Sequence, residues 1–461
     1  MEADVYRVLE RFIDEASRLS GVFAELRVER VRFSRISIRE GVAEVSSGID
    51  QGIAVRVFYR GAAGFASVSR VSVDDALYAL RTAYSMARAM NRGEQPRPVE
   101  VGGLRKHYRH PVKRSIDDVS VDEKVRDLER LDSIVSRPRF VKSRSIWYYD
   151  AVEQRYYAST EGRLVSEERE VSYLASSIFG LENGVRGSSI MVEGSIEGYT
   201  IWDKTGGPEK FGETLVSRLR SQLEAKTPRA GRFPVVLAPE AVGVFVHEAF
   251  GHLAEADLVA SGSVLQGMKG RRVASPLVTI VDDPTVKDGF GTFMFDDEGV
   301  EASRVVIVER GVHREIMTDR LHAAMLGERP TGNARAESYR HPPLVRMRNT
   351  FMLPGDARLE EMLEDIDYGY YIVSTSGGET SPNGSFQVGV REAFEIVKGE
   401  IGEPVRNLSI SGNTLETLLN IDMVGRDFKL FYGRCGKGQV VFVSDGGPHV
   451  RVKSMAVGGR V

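Results

Sequence analysis

The chain has 461 residues, with 42% hydrophobic and 28% charged side chains, the balance of an ordinary globular protein long enough for two or three domains. A formal net charge of −3 argues against a general nucleic-acid binder. No apolar run is long enough for a membrane helix, the acidic start Met1-Glu2-Ala3-Asp4 does not read as a signal peptide, and a single cysteine, Cys435, excludes an internal disulfide and fits a reducing cytoplasm.

In chain order, residues 4–20 read as an amphipathic helix, with Val5, Leu9, Phe12, Ile13, Ala16 and Leu19 on one side. Three short strands follow, at 24–28, 35–39 and 53–59, with glycine turns near Gly41 and Gly61, as in an antiparallel meander. Ser72 to Asp75 caps a helix over 76–90, and Ser120 with Glu123 opens another, to about Val135. Residues 139–199 return to strands, 203–212 read as a polar loop, and 214–225 as a helix. The segment Lys226-Thr227-Pro228-Arg229-Ala230-Gly231-Arg232 has linker composition. The expected organisation is α+β: an N-terminal α/β domain with an antiparallel sheet over 1–225 and a strand-rich C-terminal domain over 226–461. In the second, Phe233 to Leu237 is a strand leading into a helix, and one further clear helix covers 357–366.

That first helix carries His247-Glu248-Ala249-Phe250-Gly251-His252, and Cys435 lies about 180 residues later in Gly433-Arg434-Cys435-Gly436-Lys437-Gly438. Imidazoles and a thiolate are zinc ligands, and a glutamate beside a ligand is the usual base for the water. Isolated histidines also serve as surface or core residues, and a lone cysteine as a small hydrophobe, so the spacing has to be weighed. At about 100° per residue, histidines five apart sit roughly 140° around a regular helix, too far for one ion. A shared metal therefore requires a break, kink or π-turn over Ala249 to His252. Gly251 is the expected place for the distortion.

Further blocks complete a pattern: Ala254-Glu255-Ala256-Asp257, Phe295-Asp296-Asp297-Glu298-Gly299, Thr331-Gly332-Asn333-Ala334-Arg335, Pro343 to Asn349, Cys435-Gly436-Lys437-Gly438-Gln439 and Val457-Gly458-Gly459. With these blocks in this order, the chain resembles the TldD/PmbA metallopeptidase family along nearly its whole length. The resemblance implies a cytoplasmic zinc peptidase acting on short or unfolded peptides, with Zn2+ held by His247, His252 and Cys435, and Glu248 as catalytic base. It also implies a dimer, either a homodimer or a heterodimer with a PmbA-like chain that lacks the zinc motif, and no nucleic-acid or membrane partner.

Around this centre, His322, His341 and Arg346 are candidates for oxyanion stabilisation, each with a structural role as the alternative. Glu255 and Asp257 either orient an imidazole or end a solvated helix. The acids of Asp296 to Gly299 lack the ligand alternation of a calcium loop and suit a turn. The rival reading is a non-enzymatic peptide-binding scaffold, whose structural zinc would need a fourth protein ligand. A nucleotide-binding loop at 433–438 fails, because Gly438 follows Lys437 where Ser or Thr is required.

Overall fold

Even-numbered residues of the first long strand (Ala24, Leu26, Val28, Ile36, Ile38) are buried and apolar, whereas Glu25, Arg27, Glu29, Phe33 and Arg35 alternate with them. Successive side chains of a strand point to opposite faces, so this sheet has one face for helices and another of mixed character. In the computed structural model, which describes residues 2–90 and 97–459, strands β1 (Val22–Arg39), β2 (Val42–Tyr59), β3 (Ala62–Val68), β4 (Leu104–Arg109), β5 (Val141–Ser159), β6 (Arg163–Glu182) and β7 (Val185–Ser195) form one sheet. Its order is β3-β2-β1-β5-β6-β4, and β7 also pairs with β6. The expected short segments at 24–28 and 35–39 are a single 18-residue strand. Pairing with β2 and β5 continues unbroken through the polar residues between them. The glycine turns stand as expected: Glu40-Gly41 and Arg60-Gly61 all have positive φ, the requirement of a tight two-residue hairpin.

Helices Glu2–Ala16 and Val73–Ala89 bury one end of the even face. Helices Val121–Val135 and Gly207–Glu224 bury the other. The caps Ser72 and Ser120 accept from the amides of Asp75 and Glu123. The first helix ends at Ala16 rather than continuing to 20. The expected polar loop at 203–212 is instead helical, as Ile201–Thr205 and Gly207–Glu224. Gly206, left-handed at φ 76°, ends one helix and Pro208 opens the next, a break that reads as a loop but turns between two helices. The presumed linker is docked: the Lys226 amide donates to Pro404 O (3.0 Å), and Lys226 O accepts from the Arg406 amide (2.9 Å).

In the second half, strands Tyr368–Thr380, Gly231–Leu237, Val450–Gly459, Leu408–Asn413 and Ser385–Val397 pair in that order, and the last pairs back to the first. The ring thus closes on itself and leaves its member strands no free edge at that seam. A second sheet runs Val312–His313, Val305–Glu309, Ile280–Asp282, Asn349–Met352, Gln439–Gly447, Lys429–Lys437. The helix expected over 357–366 is reduced to Leu359–Leu363, and three more short helices, Ala256–Ala260, Arg320–Leu326 and Thr414–Leu419, accompany it. The whole is mixed α+β with strands dominant. Among the described residues, no helix is long and apolar enough to cross a membrane.

Candidate metal centre

The strand Gly231–Leu237 delivers the chain into the helix Pro239–Val244, which packs between the ring and the hairpin strands 429–437 and 439–447. The fit is close at Gly243, where a Cβ would stand 2.4 Å from Asp445 Oδ1 and 2.7 Å from the Gly446 amide nitrogen. The helix then widens into a π-helix over Phe245–Phe250 and tightens into a 3-10 turn over Gly251–Ala254. The Gly251 amide donates to Val246 O, five residues back. This wider turn brings positions five apart together, and the imidazole centroids of His247 and His252 are 5.3 Å apart, with their planes at 85°.

The departure from a regular helix includes the expected Ala249 to His252, with the change from π to 3-10 geometry at Phe250 and Gly251, but Gly251 does not carry the distortion. Gly251 itself is ordinarily helical (φ −56°, ψ −48°), whereas Phe250 takes φ −130°, ψ −45°. Gly251 leaves room for Met347: a Cβ there would meet Met347 Sδ at 2.2 Å and oblige that side chain to shift. Thr414, 165 residues away, donates its hydroxyl to Ala249 O at 2.6 Å and so satisfies a carbonyl at the disturbed turn.

Cys435 comes from the facing hairpin, opposite Val441. Donor atoms of His247, His252 and Cys435 lie within 4.8 Å of one another. His252 Nε2 is 3.4 Å from Cys435 Sγ, against roughly 3.5 Å for nitrogen and sulfur on one tetrahedral zinc, from the ordinary bond lengths. His252 Nδ1 is 2.8 Å from Glu255 Oε2, the carboxylate–imidazole contact that orients a metal ligand. It leaves Nε2 facing the thiol. Buried His247 Nδ1 has no hydrogen-bond partner, in a setting where buried polar atoms are normally paired. Glu248, half-buried, places Oε2 3.9 Å from His252 Nε2. The donor set and its spacing fit a zinc ion.

Burial raises the Cys435 thiol, but hydrogen bonds from His247 and His252 and their charge outweigh it, bringing it down to about 4. Burial lowers His252, and the Glu255 carboxylate and Cys435 more than reverse this, lifting it to about 10. In the metal-free chain the centre is thus a thiolate held by imidazolium, the deprotonated sulfur that a metal needs.

The other candidates divide. Glu255 touches the centre through His252, and Asp257 joins through Lys437. The Lys437 ammonium lies at the hairpin tip and donates to Glu255 (3.0 Å), Asp257 (2.8 Å) and Val345 O (2.6 Å). Lys437 was legible only as part of a glycine-rich stretch. Its signal is a cation two residues after the thiol, matched by acids three and five residues after the second histidine. Arg346 is a strut, donating to Cys435 O (2.6 Å) and Gln439 O (2.7 Å). His322 pairs with Asp319 at 2.8 Å, and His341 caps a turn near Ser338 at 3.3 Å. The acids of Asp296 to Gly299 are consumed structurally. Asp296 accepts the amides of Glu298, Val300 and Ala334, Asp297 pairs with Arg155 at 2.6 Å, and Glu298 pairs with Arg56.

Residues 24–87, 114–223 and 230–459 match, respectively, domain 1, the central domain and the C-terminal domain described for PmbA/TldA metallopeptidases. The chain is 39% identical over 455 residues to the zinc metalloprotease TldD homolog of Saccharolobus solfataricus, covering 98% of this chain and 100% of the relative. It is 38% identical over 451 residues to a metalloprotease of Methanothermobacter thermautotrophicus, covering 95% of each. The solved TldE of Thermococcus kodakarensis shares the fold, with a TM-score of 0.80 at 20% identity over 98% of this chain and 100% of that one. Similarity of this extent, running through both halves and the motif helix between them, makes the chain a member of the TldD/PmbA metallopeptidase family.

Proposed function

We propose that the protein is a zinc peptidase in which His247, His252 and Cys435 hold the metal and Glu248 is the general base. The observation that carries this reading is the convergence of the three donors within 4.8 Å, with the Glu248 carboxylate 3.9 Å from His252 Nε2. Zinc, when bound, supplies a Lewis acid that polarises a carbonyl and makes water acidic near neutral pH. Glu248 Oε2 takes the proton of that water and returns it to the leaving amine. Glu255 fixes His252 through Nδ1, and Lys437 holds Glu255 in place. Arg346 and the surrounding backbone fix the strand that bears the thiol.

The scaffold alternative requires a fourth protein ligand. Among the described residues, the converging donors are two histidines and one cysteine; Glu255 lies against His252 Nδ1, not among the converging atoms, and Asp257 is held by Lys437. An open position suits catalysis. Short or unfolded peptides are the proposed substrates, and a dimer, homotypic or with a PmbA-like chain in the cytoplasm, is the proposed setting.

The deciding experiment joins metal analysis to cleavage of an unfolded polypeptide, with and without a co-expressed PmbA-like chain. One zinc per chain with sulfur in its coordination sphere, and cleavage lowered by orders of magnitude in Glu248→Gln, are expected. A fully protein-coordinated zinc with no cleavage under either condition establishes the scaffold instead.

A further inference from the structure

The odd-numbered face of the first sheet meets the second half of the chain and is not filled. Between β1 and β5 on one side, and residues 335–341 and the 429–447 hairpin on the other, lies a cavity of about 580 Å3, within the range of small-molecule sites. Arg434 and Phe442 stand opposite one another on the hairpin and line this cavity. Strand alternation directs them to the face away from Cys435. The opposite wall is an aromatic ladder. Trp147 stacks on Tyr149 (6.0 Å, 4°), and Tyr149 on Phe33 (6.4 Å, 25°). The Arg35 guanidinium lies 4.5 Å over Phe33, and that of Arg434 lies 5.7 Å over Trp147.

Most charges in the walls are already matched: Arg155 with Asp297, Arg169 with Glu153, Arg340 with Asp50, and Glu29 with Arg27. Among the described residues, Arg35, Arg335 and Arg434 make no ion pair. Of the lining acids, Glu337 alone remains outside these pairs, and it accepts the Val440 amide at 2.9 Å. Three cations therefore face one acid. Arg335 is buried; its hydrogen bonds go to the carbonyls Met347 O (2.9 Å) and Phe442 O (2.7 Å), and it lies 5.3 Å over the Phe293 ring. Burial, reinforced by Arg169 and Arg346, lowers its guanidinium to about 9. A guanidinium held over an aromatic ring without an ion pair retains N–H donors for a carboxylate.

We propose that this cavity binds an organic carboxylate with an aromatic or flat apolar body, the anion held by Arg434 and Arg35 and the body lying against Trp147 and Tyr149. The carboxylate can belong to a free acid or to the C-terminus of a peptide. The site lies across the hairpin from the metal centre and does not depend on the peptidase reading.

The chain has two tryptophans, Trp147 and Trp202. Trp202 packs against Phe211 (6.3 Å), outside the cavity, so Trp202→Phe leaves Trp147 as a reporter in the wall. N-acetylphenylalanine and its amide are titrated by fluorescence and by calorimetry, alongside Ala-Ala-Phe as acid and as amide. Because zinc also binds carboxylates, the titrations are run on metal-loaded protein and on His247→Ala. Each acid is expected to bind about ten-fold or more tightly than its amide, equally in both backgrounds. Arg434→Gln should abolish the preference and Arg434→Lys restore part of it, with near-UV circular dichroism unchanged. Whichever acid binds more tightly identifies the source as free or peptidic. Equal affinity for acid and amide, a preference that survives both Arg434→Gln and Arg35→Gln, dependence on His247, or no heat of binding at millimolar concentration overturns the proposal.

Discussion

Two buried polar clusters lie close together in the second half, and they are built on opposite plans. Around Asp282 every group is matched. Its oxygens accept from the Arg348 amide (2.8 Å) and Nε (2.6 Å), Thr350 (2.8 Å) and Asn333 (2.8 Å). The remaining Arg348 donors reach the carbonyls of Thr331, Gly332, Ser303 and Asp282. Around His252 the matching stops short: His247 Nδ1 and Glu255 Oε1 are buried without partners, and three donors point at one another across 4.8 Å. A closed network fixes a fold, and a network left open at its centre is a place for chemistry. Both Thr331 to Arg335 and Pro343 to Asn349 are blocks of family resemblance, yet Asn333, Arg346, Arg348 and Asn349 hold architecture. A recognisable motif and a reactive group are different things.

The contrast can be broken at four points. The largest effect is expected in Glu248→Gln, which should reduce peptide turnover by about 10²–10⁴ for a lost general base. Zinc content and melting temperature should stay near wild type; a matching loss of stability would place Glu248 in the closed class. The converse is Arg348→Ala, which leaves the Asp282 carboxylate buried without its cation, at about 3–5 kcal/mol. Denaturant unfolding should show the loss, while the surviving folded fraction keeps its zinc per chain. Glu255→Gln is the intermediate case. It should weaken zinc binding by about 10–100-fold, measured by competition with a chromophoric chelator, and an unchanged affinity would make Glu255 a mere partner of Lys437.

The smallest effect is a pH dependence of the metal-free protein. The Cys435 thiol falls from 9.0 to about 4, so the stability from its thiolate is complete above 9 and is lost as pH falls through about 4. His252 rises from 6.5 to about 10, so the stability from its imidazolium is complete below 6.5 and is lost as pH rises through about 10. The raised His247 likewise loses its contribution above 6.5, so the melting temperature should be highest near 6.5 and decline on either side. Thiolate absorbance at 240 nm should persist at pH 6 and vanish in Cys435→Ser. A thiol that titrates near 9 contradicts the ion pair.

What the sequence disclosed follows a physical division. Local signals held: the caps at Ser72 and Ser120 and the turns at Gly41 and Gly61 depend on a few adjacent residues. The need for an irregular helix was legible because it is arithmetic on five residues. That Gly251 would matter for room beside Met347, and that Thr414 would hold the Ala249 carbonyl, required contacts far along the chain. Arg30, Arg32 and Ser34 hid the continuity of β1, because on the even face they fall between two separate cores, one holding Val28 and the other Ile36. The Gly206-Gly207-Pro208 break likewise reads as a loop until the neighbouring helices show that it is only a corner.

The thiol and the imidazole it faces are 183 residues apart in the chain. At ordinary synthesis rates the ribosome delivers Cys435 on the order of 10–40 s after His252. Throughout that interval a growing polypeptide carries both histidines and the glutamate with nothing to close the triangle. Any chain that stops short of the final hairpin, through premature termination or a nick, is left in the same state. The thiol is thus the last of the three donors to be synthesised, and the triangle of His247, His252 and Cys435 can close only once the 429–447 hairpin has been made.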